Sequence, residues 1–312
     1  MRVIFMGTPD FAVSALEAIL QNGHEVLLVV TKPDKPKGRG KAMQSPAVKE
    51  CAVSHGLKVF QPVRIREPEP TEYLRSFGAD IFIVAAFGQI LSKEILQMPN
   101  YGCINIHASL LPKYRGAAPI QWAIINGDPV TGVTTMRMDV GVDTGDMILK
   151  KEVEIAPDET GGSLFAKLQE SGAQLIVETM AALKDHTAVY EEQVESEATH
   201  VGMIQKQMGK IDWQKKAIEI ERLIRGLDPW PSAYTAFEGK VLKLWKAKVN
   251  PYSEPGAIPG QVIETDKEYI RVQTGEGSLD IFELQLEGKK RLDTETFLLG
   301  HKIKKGIVFG DS

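Results

Sequence analysis

Short runs dense in Val, Ile, Leu and Phe recur along the first two thirds of the chain, separated by stretches whose apolar residues fall at helical spacing. RVIFM (2–6) and HEVLLVVT (24–31) bracket DFAVSALEAILQ, which has that spacing and stops at Asn22-Gly23. DIFIVAA (80–86), CINIH (103–107) and TGVTTMRM (131–138) continue the series, with helix-like segments between them. Strand, helix, strand in repetition predicts an α/β domain built on a Rossmann-like, mostly parallel sheet. One long helix is expected across 163–183, where Leu164, Leu168, Leu175, Ile176 and Met180 make a stripe.

After that helix the texture changes. THVGMIQKQMGKIDW (199–213) mixes charge with Gly and reads as a linker. A helical stretch, KKAIEIERLIRGL, follows, and then five short strand-like pieces: AYTAF, KVLKLWKAKV, GQVIET, YIRVQT and LDIFELQLE. PSA, EG, NPYSEPGAIPG and GEGS supply the turns between them. Such spacing predicts a second, small β-barrel (OB-like) or sandwich domain. The expected organisation is an N-terminal domain over 1–200, a linker over 201–210 and a C-terminal β-barrel domain over 211–312; a chain of 312 residues is comfortable for two cores.

Composition adds exclusions. Hydrophobic content of 43% and charged content of 25% are ordinary for a soluble protein. No apolar run approaches the ~18–20 residues needed to cross a bilayer. The start, MRVIFMGTPDF, has an apolar run broken by Gly7 and Pro9 and fails as a signal peptide. Cys51 and Cys103 are too few and too unpatterned for a disulfide framework or a zinc site, so a reducing, cytoplasmic setting is expected. The net charge of −4 hides an asymmetry: residues 1–200 carry 19 basic and 25 acidic side chains, residues 201–312 carry 18 and 16. A polyanionic partner should prefer the C-terminal part and one further basic loop, at 31–46.

Candidate chemistry begins at INIHASLLPKYRG, from Ile104. On a strand, Cys103, Asn105 and His107 share one face and Ile104 and Ile106 the other. A lone Asn or His in a strand is usually a hydrogen-bonded core residue. Here, however, the strand ends at His107 and leads through a loop into a helix AAPIQWAIING, with Pro119 near its start and Gly127 past its end. That is the carboxyl edge of a parallel strand, where open α/β sheets bind ligands. Further on, DVGVDTGD (139–146) carries three carboxylates. It fails as a calcium loop, because Gly141 and Lys150 stand where ligands are needed. It is either a solvated turn or the source of a carboxylate facing His107. Asn, His and Asp without a Ser or Cys nucleophile suit acyl transfer in which the substrate brings its own nucleophile, such as an amine.

A basic segment, TKPDKPKGRGKAMQSP (31–46), sets Lys32, Lys35, Lys37, Arg39 and Lys41 against Asp34. It fails as a P-loop, since Ala42 replaces the Ser or Thr after Lys41. It is either a flexible solvated loop or, with Pro and Gly preventing regular structure, a mobile cationic strap for a nucleic-acid end. Lys206, Lys210, Lys215 and Lys216 cluster near the linker, and Lys240, Lys243, Lys246 and Lys248 alternate imperfectly with apolar residues. That strand is either a plain barrel strand or a platform for a nucleic-acid backbone. Trp230, between Pro229 and Pro231, is expected to anchor the domain junction.

INIHASLLPKYRGAAPI with DVGVDTGD closely resembles the folate-dependent formyltransferases, whose N10-formyltetrahydrofolate donor gives its formyl group to an amine. GTPDFAV, TKPDKPKGRGK and LDPWPSAYT (227–235) extend the resemblance over both domains. The resemblance implies a catalytic trio of Asn105, His107 and Asp143. It implies that Ser109, Leu110, Leu111 and Pro112 form the loop against which the folate lies. It further implies an acceptor amine on methionyl initiator tRNA, for translation initiation, held by the basic loop with Lys37, Arg39 and Lys41; the charge cluster near the linker adds Lys206 and Lys210 as expected tRNA-backbone contacts. The implied donor is N10-formyltetrahydrofolate, with no metal, no membrane and no obligate protein partner. Related enzymes formylate glycinamide ribonucleotide, or an amino sugar on a nucleotide, or hydrolyse the formyl folate; the glycinamide type typically lacks the second domain, and against the amino-sugar type, which has a comparable one, the Lys-rich 32–41 loop is the main discriminator. A non-catalytic tRNA- or nucleotide-binding module would explain the basic segments but leave the trio without purpose.

Overall fold

The computed structural model describes residues 1–37 and 42–310, and the chain divides into two compact units. The first comprises residues 1–119, 130–154 and 165–201; the second comprises 120–129, 155–164 and 202–312.

In chain order the first unit runs β1 (Arg2–Gly7), α1 (Val13–Gln21), β2 (Glu25–Val30), β3 (Lys35–Lys37), β4 (Ala42–Gln44), α2 (Ala47–Ser54), β5 (Val59–Phe60), α3 (Pro68–Arg75), β6 (Ile81–Ala85), α4 (Lys93–Leu96), β7 (Cys103–His107) and β8 (Arg115–Gly116). Then follow α5 (Pro119–Asn126), most of which belongs to the second unit, β9 (Val130–Arg137), β10 (Met147–Glu154), α6 (Gly161–Lys184) and β11 (His200–Val201). Seven strands form one sheet in the order β10-β9-β7-β6-β1-β2-β5. β5, β2, β1, β6 and β7 are mutually parallel, and β9 runs antiparallel to both of its neighbours. This is the Rossmann-like sheet the apolar pattern predicts.

The central strands are buried on both faces, which is why their sequences read as continuous apolar runs rather than alternating ones. On one face Ile4, Met6, Leu28, Phe82, Val84 and Cys103 join Leu74 and Ile95 from the flanking helices in a single cluster. Each such side chain contributes about 1.5–3 kcal/mol relative to an exposed one. On the other face α6 passes so close that a Cβ on Gly172 would lie 3.0 Å from Ile106 Cγ2.

In the second unit α7 (Ala217–Gly226) precedes β12 (Ala233–Phe237), β13 (Lys240–Asn250), β14 (Val262–Thr265), β15 (Ile270–Gln273), β16 (Ser278–Leu286) and β17 (Leu292–Asp293), and α8 (Thr294–Gly300) closes the series. The strands form an antiparallel sheet, β12-β13-β16-β15-β14, with β17 added on β16. Leu242, Leu244, Val262, Ile270, Leu279, Ile281 and Phe297 make its core, with Ile220 and Ile224 of α7. The expected small, separate sheet domain is present. Register shifts fall between Leu244 and Ala247 of β13, within the stretch where Lys243 and Lys246 stand three residues apart.

Three expectations need correction. The basic segment is not devoid of regular structure: β3 and β4 pair antiparallel, with Lys35 opposite Gln44 and Lys37 opposite Ala42. Pro36 sits in a two-stranded ribbon, which has edges on both sides and tolerates a missing N–H. The stretch 199–213 is not a bare linker, because β11 pairs with β8 while Ile211 and Trp213 are core residues of the second unit. Trp213 donates from Nε1 to Thr235 Oγ1 at 3.0 Å. Trp230 is 54% exposed, too open to serve as a packing anchor. β10 and α8 lacked a strong apolar signal; α8 is capped by Asp293, whose carboxylate accepts from Thr296 N at 2.7 Å.

Candidate active site

β7 carries Asn105 opposite Val84 of β6 and Met136 of β9, and His107 opposite Thr134. Period two puts both polar side chains on the face that also holds Cys103. Cys103 is packed in the core, and burial pushes its thiol up to about 12, which leaves it an inert space-filler.

The third member arrives from an unexpected direction. β9 is antiparallel to β7, so its loop departs beside the start of β7, where Met138 N donates to Cys103 O at 2.8 Å. It then reaches back along β7. Asp139 Oδ1 accepts from Gly141 N at 3.0 Å and Thr144 Oγ1 at 2.7 Å, which folds the loop on itself. At Gly145 a Cβ would lie 1.8 Å from Arg137 O, so only glycine fits. Asp143 adopts φ +55°, a left-handed conformation unusual for a side-chain-bearing residue.

The structure therefore brings Asn105, His107 and Asp143 together. Asp143 Oδ2 lies 3.6 Å from His107 Nδ1 and accepts from Gly116 N at 2.8 Å. Asp143 Oδ1 faces Asn105 Nδ2 at 3.5 Å. His107 Nε2 lies 2.9 Å from Tyr114 O. Both ring nitrogens thus face oxygen acceptors, and the ring must exchange one of these partners to donate to a substrate oxygen. Asn105 and His107 are buried. An amide donor, an imidazole and a carboxylate in contact can stabilise a developing oxyanion and move a proton.

Around the trio lie residues that sequence reasoning did not single out. Arg115 is 2% exposed, and its Nε donates to Gln193 Oε1 at 2.9 Å while Nη1 reaches Glu195 Oε2 at 2.8 Å. Gln193 Nε2 donates to the carbonyls of Asp143 and Gly145 at 2.8 and 2.7 Å. Arg115 stood in the quoted motif; Gln193 lies fifty residues beyond Asp143 with no periodic signal to find it by.

The loop after β7 has a cis Leu111–Pro112 bond. Ser109 is fully buried and its hydroxyl donates to Lys113 O at 2.6 Å, while its carbonyl accepts from Thr134 Oγ1 at 2.7 Å. Leu111 packs with Met136 and Met147, and its N–H donates to Thr134 Oγ1 at 3.1 Å. Ser109 and Leu111 thus shape the loop from inside, and the half-buried Leu110 and Pro112 are the side chains of this set with surface to offer a ligand.

Of the basic segment, Arg39 and Lys41 lie outside the described residues, as does the side chain of Lys37. Its base is firmly tied. Asp34 accepts from Gln61 Nε2 at 2.8 Å and Lys49 Nζ at 2.7 Å, and these bonds hold its carboxyl below the usual range. Beside it, Thr8, Pro9, Lys32, Lys35, Ser45 and Glu50 line a cavity of about 400 Å³ at the carboxyl ends of β1 and β2. Burial, and then the charge of Lys35, lower the pKa of Lys32. Lys206 and Lys210 are exposed. Among the described residues, one group of Glu, Cys and His has ligand atoms within 4.8 Å of one another, Glu17, Cys51 and His55, and it shares no residue with the trio.

Comparison with known proteins defines the class. Residues 1–180 match the family model described as Formyl transferase, and residues 203–302 match that of the Formyl transferase, C-terminal domain. The chain belongs to the formyl transferase family. Its full-length likeness is to methionyl-tRNA formyltransferases: that of Agathobacter rectalis is 65% identical over 99% of both chains, and that of Lachnospira eligens 50% identical over 100% of both. Among solved structures, a sugar 3N-formyl transferase, WlaRD, in the presence of dTDP and 5-N-formyl-THF, shares the fold with TM-score 0.66 and 22% identity over 93% of this chain and 99% of that one. HypX from Aquifex aeolicus in complex with tetrahydrofolic acid gives 0.61 and 17% over 98% of this chain and 50% of that one. The enzyme class that the strand motif suggested, a formyl-transferring one, is confirmed by these matches.

Proposed function

We propose that this formyltransferase moves the formyl group of N10-formyltetrahydrofolate to the α-amine of methionyl initiator tRNA, with Asn105, His107 and Asp143 as the catalytic residues. The single observation that carries the chemistry is the convergence of the three side chains, with Asp143 Oδ2 3.6 Å from His107 Nδ1 and Oδ1 3.5 Å from Asn105 Nδ2. The full-length likeness to methionyl-tRNA formyltransferases supports the acceptor.

In this reading the neutral α-amine attacks the formyl carbon and a C–N bond forms. Asn105 and the protonated His107 stabilise the oxyanion, His107 releasing one of its two oxygen partners to do so. The tetrahedral intermediate collapses with cleavage of the bond to N10, and the proton lost by the amine passes by way of Asp143 and His107 to the departing nitrogen. Its atoms balance without an acylated side chain or a metal. Leu110 and Pro112 face the folate, and Lys37, Arg39, Lys41, Lys206 and Lys210 hold the tRNA. We place the enzyme in the cytoplasm, where its two substrates meet; no described helix is long and apolar enough to cross a membrane.

The test offers formyl-folate with methionyl initiator tRNA, an amino-sugar nucleotide, glycinamide ribonucleotide and water in parallel. Formylation of the tRNA alone is expected. Preferential formylation of the sugar, the ribonucleotide or water overturns the reading.

A further inference from the structure

We propose that Gln193 is a positioning residue for Asp143 and that buried Arg115 fixes Gln193 in the one orientation that lets it do so. This rests on the reading of Asp143 as catalytic. Three features of the first unit carry it.

Asp143 is held in a left-handed conformation, φ +55°. For a residue with a Cβ this costs of order 1–3 kcal/mol and persists only where the surroundings over-determine it. Beside the Asp139 bonds that fold the loop, one side chain grips the turn across Asp143: Gln193 Nε2 donates to Asp143 O at 2.8 Å and to Gly145 O at 2.7 Å, bridging both sides of it. An amide could in principle rotate and present its oxygen instead. Arg115 forbids that, because a guanidinium is a donor only and its Nε lies 2.9 Å from Gln193 Oε1. The amide oxygen is committed to Arg115, so both N–H bonds face the carbonyls.

Arg115 also acts on the carboxylate end through its own chain. The next residue, Gly116, donates its N–H to Asp143 Oδ2 at 2.8 Å. β8 is pinned by β11, with Arg115 N donating to Thr199 O at 2.8 Å and Gly116 so close to the opposite strand that a Cβ would lie 2.5 Å from Val201 O. The backbone of Asp143 is thus fastened through Gln193, and its carboxylate through Gly116, to the same two-residue strand. What stays adjustable is the carboxylate's approach to Asn105 and His107, at 3.5 and 3.6 Å.

The experiment is a double-mutant cycle on the full-length enzyme with methionyl initiator tRNA and formyl-folate. Gln193→Glu keeps the shape but replaces the two donors with an oxygen, which repels both carbonyls. It is expected to lower kcat by about 10- to 100-fold, the scale for a reacting group displaced by about 1 Å, with both KM values within about twofold. In an Asp143→Asn background the same change should add less than about twofold, because its target is already disabled. Arg115→Lys should reproduce part of the kcat loss. If Gln193→Glu does not fold, Gln193→Met, neutral and of similar volume, takes its place in the cycle. Unchanged kcat for the Gln193 variant alongside a crippled Asp143→Asn overturns the positioning role while sparing the reading of Asp143. A full further loss in the Asp143→Asn background overturns it too, since Gln193 would then act elsewhere. Wild-type turnover by Asp143→Asn overturns the underlying reading and the proposal with it.

Discussion

Asp143 and Asp34 are both loop aspartates with several donors, yet the slack around them lies in different places. Asp34 is tight at its side chain: Lys49 at 2.7 Å, Gln61 at 2.8 Å and, further off, Ser45 at 3.5 Å. Those bonds neutralise its charge and tie the base of the basic segment to α2 and to Gln61. Asp143 is tight at its backbone and at one oxygen, through Gln193 and Gly116, while its contacts to Asn105 and His107 are long. A saturated carboxylate is a staple. One held in place but under-bonded toward an amide and an imidazole has capacity left for a reaction, and such contacts often shorten only when substrate is bound. The two aspartates differ in where their donors are spent, and that difference fits the proposed roles of Asp34 as structural and Asp143 as catalytic.

The largest test of that difference is removal of the chemical side. His107→Ala and Asp143→Ala should each lower kcat by roughly 10²- to 10⁴-fold, the usual worth of a positioned acid or base, with folate affinity nearly unchanged. Steady-state kinetics beside equilibrium folate binding measures both. Collapse of folate binding with turnover of bound substrate intact would refute the assignment.

Next in size is the loop itself. Gly145→Ala places a Cβ 1.8 Å from Arg137 O, a backbone atom that cannot move aside cheaply. The loop must shift, and Asp143 with it. A kcat loss of about 10²-fold is expected, with a lower melting temperature measured on the same preparation. Full activity would mean the turn geometry is not what aims Asp143.

How far these features were legible in the sequence follows from their physics. β7 and its polar pair were legible because period two is rigid: Asn105 and His107 had to share a face. The parallel core was legible because buried strands must be apolar on both sides. That Asp143 completes the trio rested on motif resemblance, since nothing local in DVGVDTGD says that its loop leaves an antiparallel strand and turns back along β7. Gln193 was illegible because its partners, Arg115 and two carbonyls, lie 48 to 78 residues away along the chain. The ribbon of β3 and β4 was missed because Pro and Gly weaken strand propensity, whereas tertiary anchoring at Asp34 does not show in propensity at all.

The comparison also bears on the exposed cations. Lys206 and Lys210 have none of the bonding that fixes Arg115, so their worth to a nucleic acid is that of released counterions. Lys206→Gln and Lys210→Gln should each reduce the slope of log affinity against log salt by about 0.7–0.9, with kcat at saturating tRNA unchanged. An unchanged slope would remove them from the tRNA surface.

The smallest effect concerns the staple. Hydrogen bonds from Gln61 and Lys49 lower the pKa of Asp34 in the folded chain. The unfolded chain therefore takes up this proton more readily than the folded one, and the stability that Asp34 adds is fully present above an ordinary carboxylate pKa of about 3.9. It is lost as pH falls through the lower folded-state value. Asp34→Asn has no such proton to gain. The difference in melting temperature between the two chains should thus be largest at neutral pH and close as the solution is acidified. Catalytic turnover at neutral pH should change by no more than about twofold, because the proposed mechanism gives the chemistry to Asp143 and the carboxylate here is already spent on its donors. A difference that persists undiminished to strong acid would mean that the ionised carboxylate contributes nothing, and that Asp34 is no more than a spacer at the foot of the ribbon.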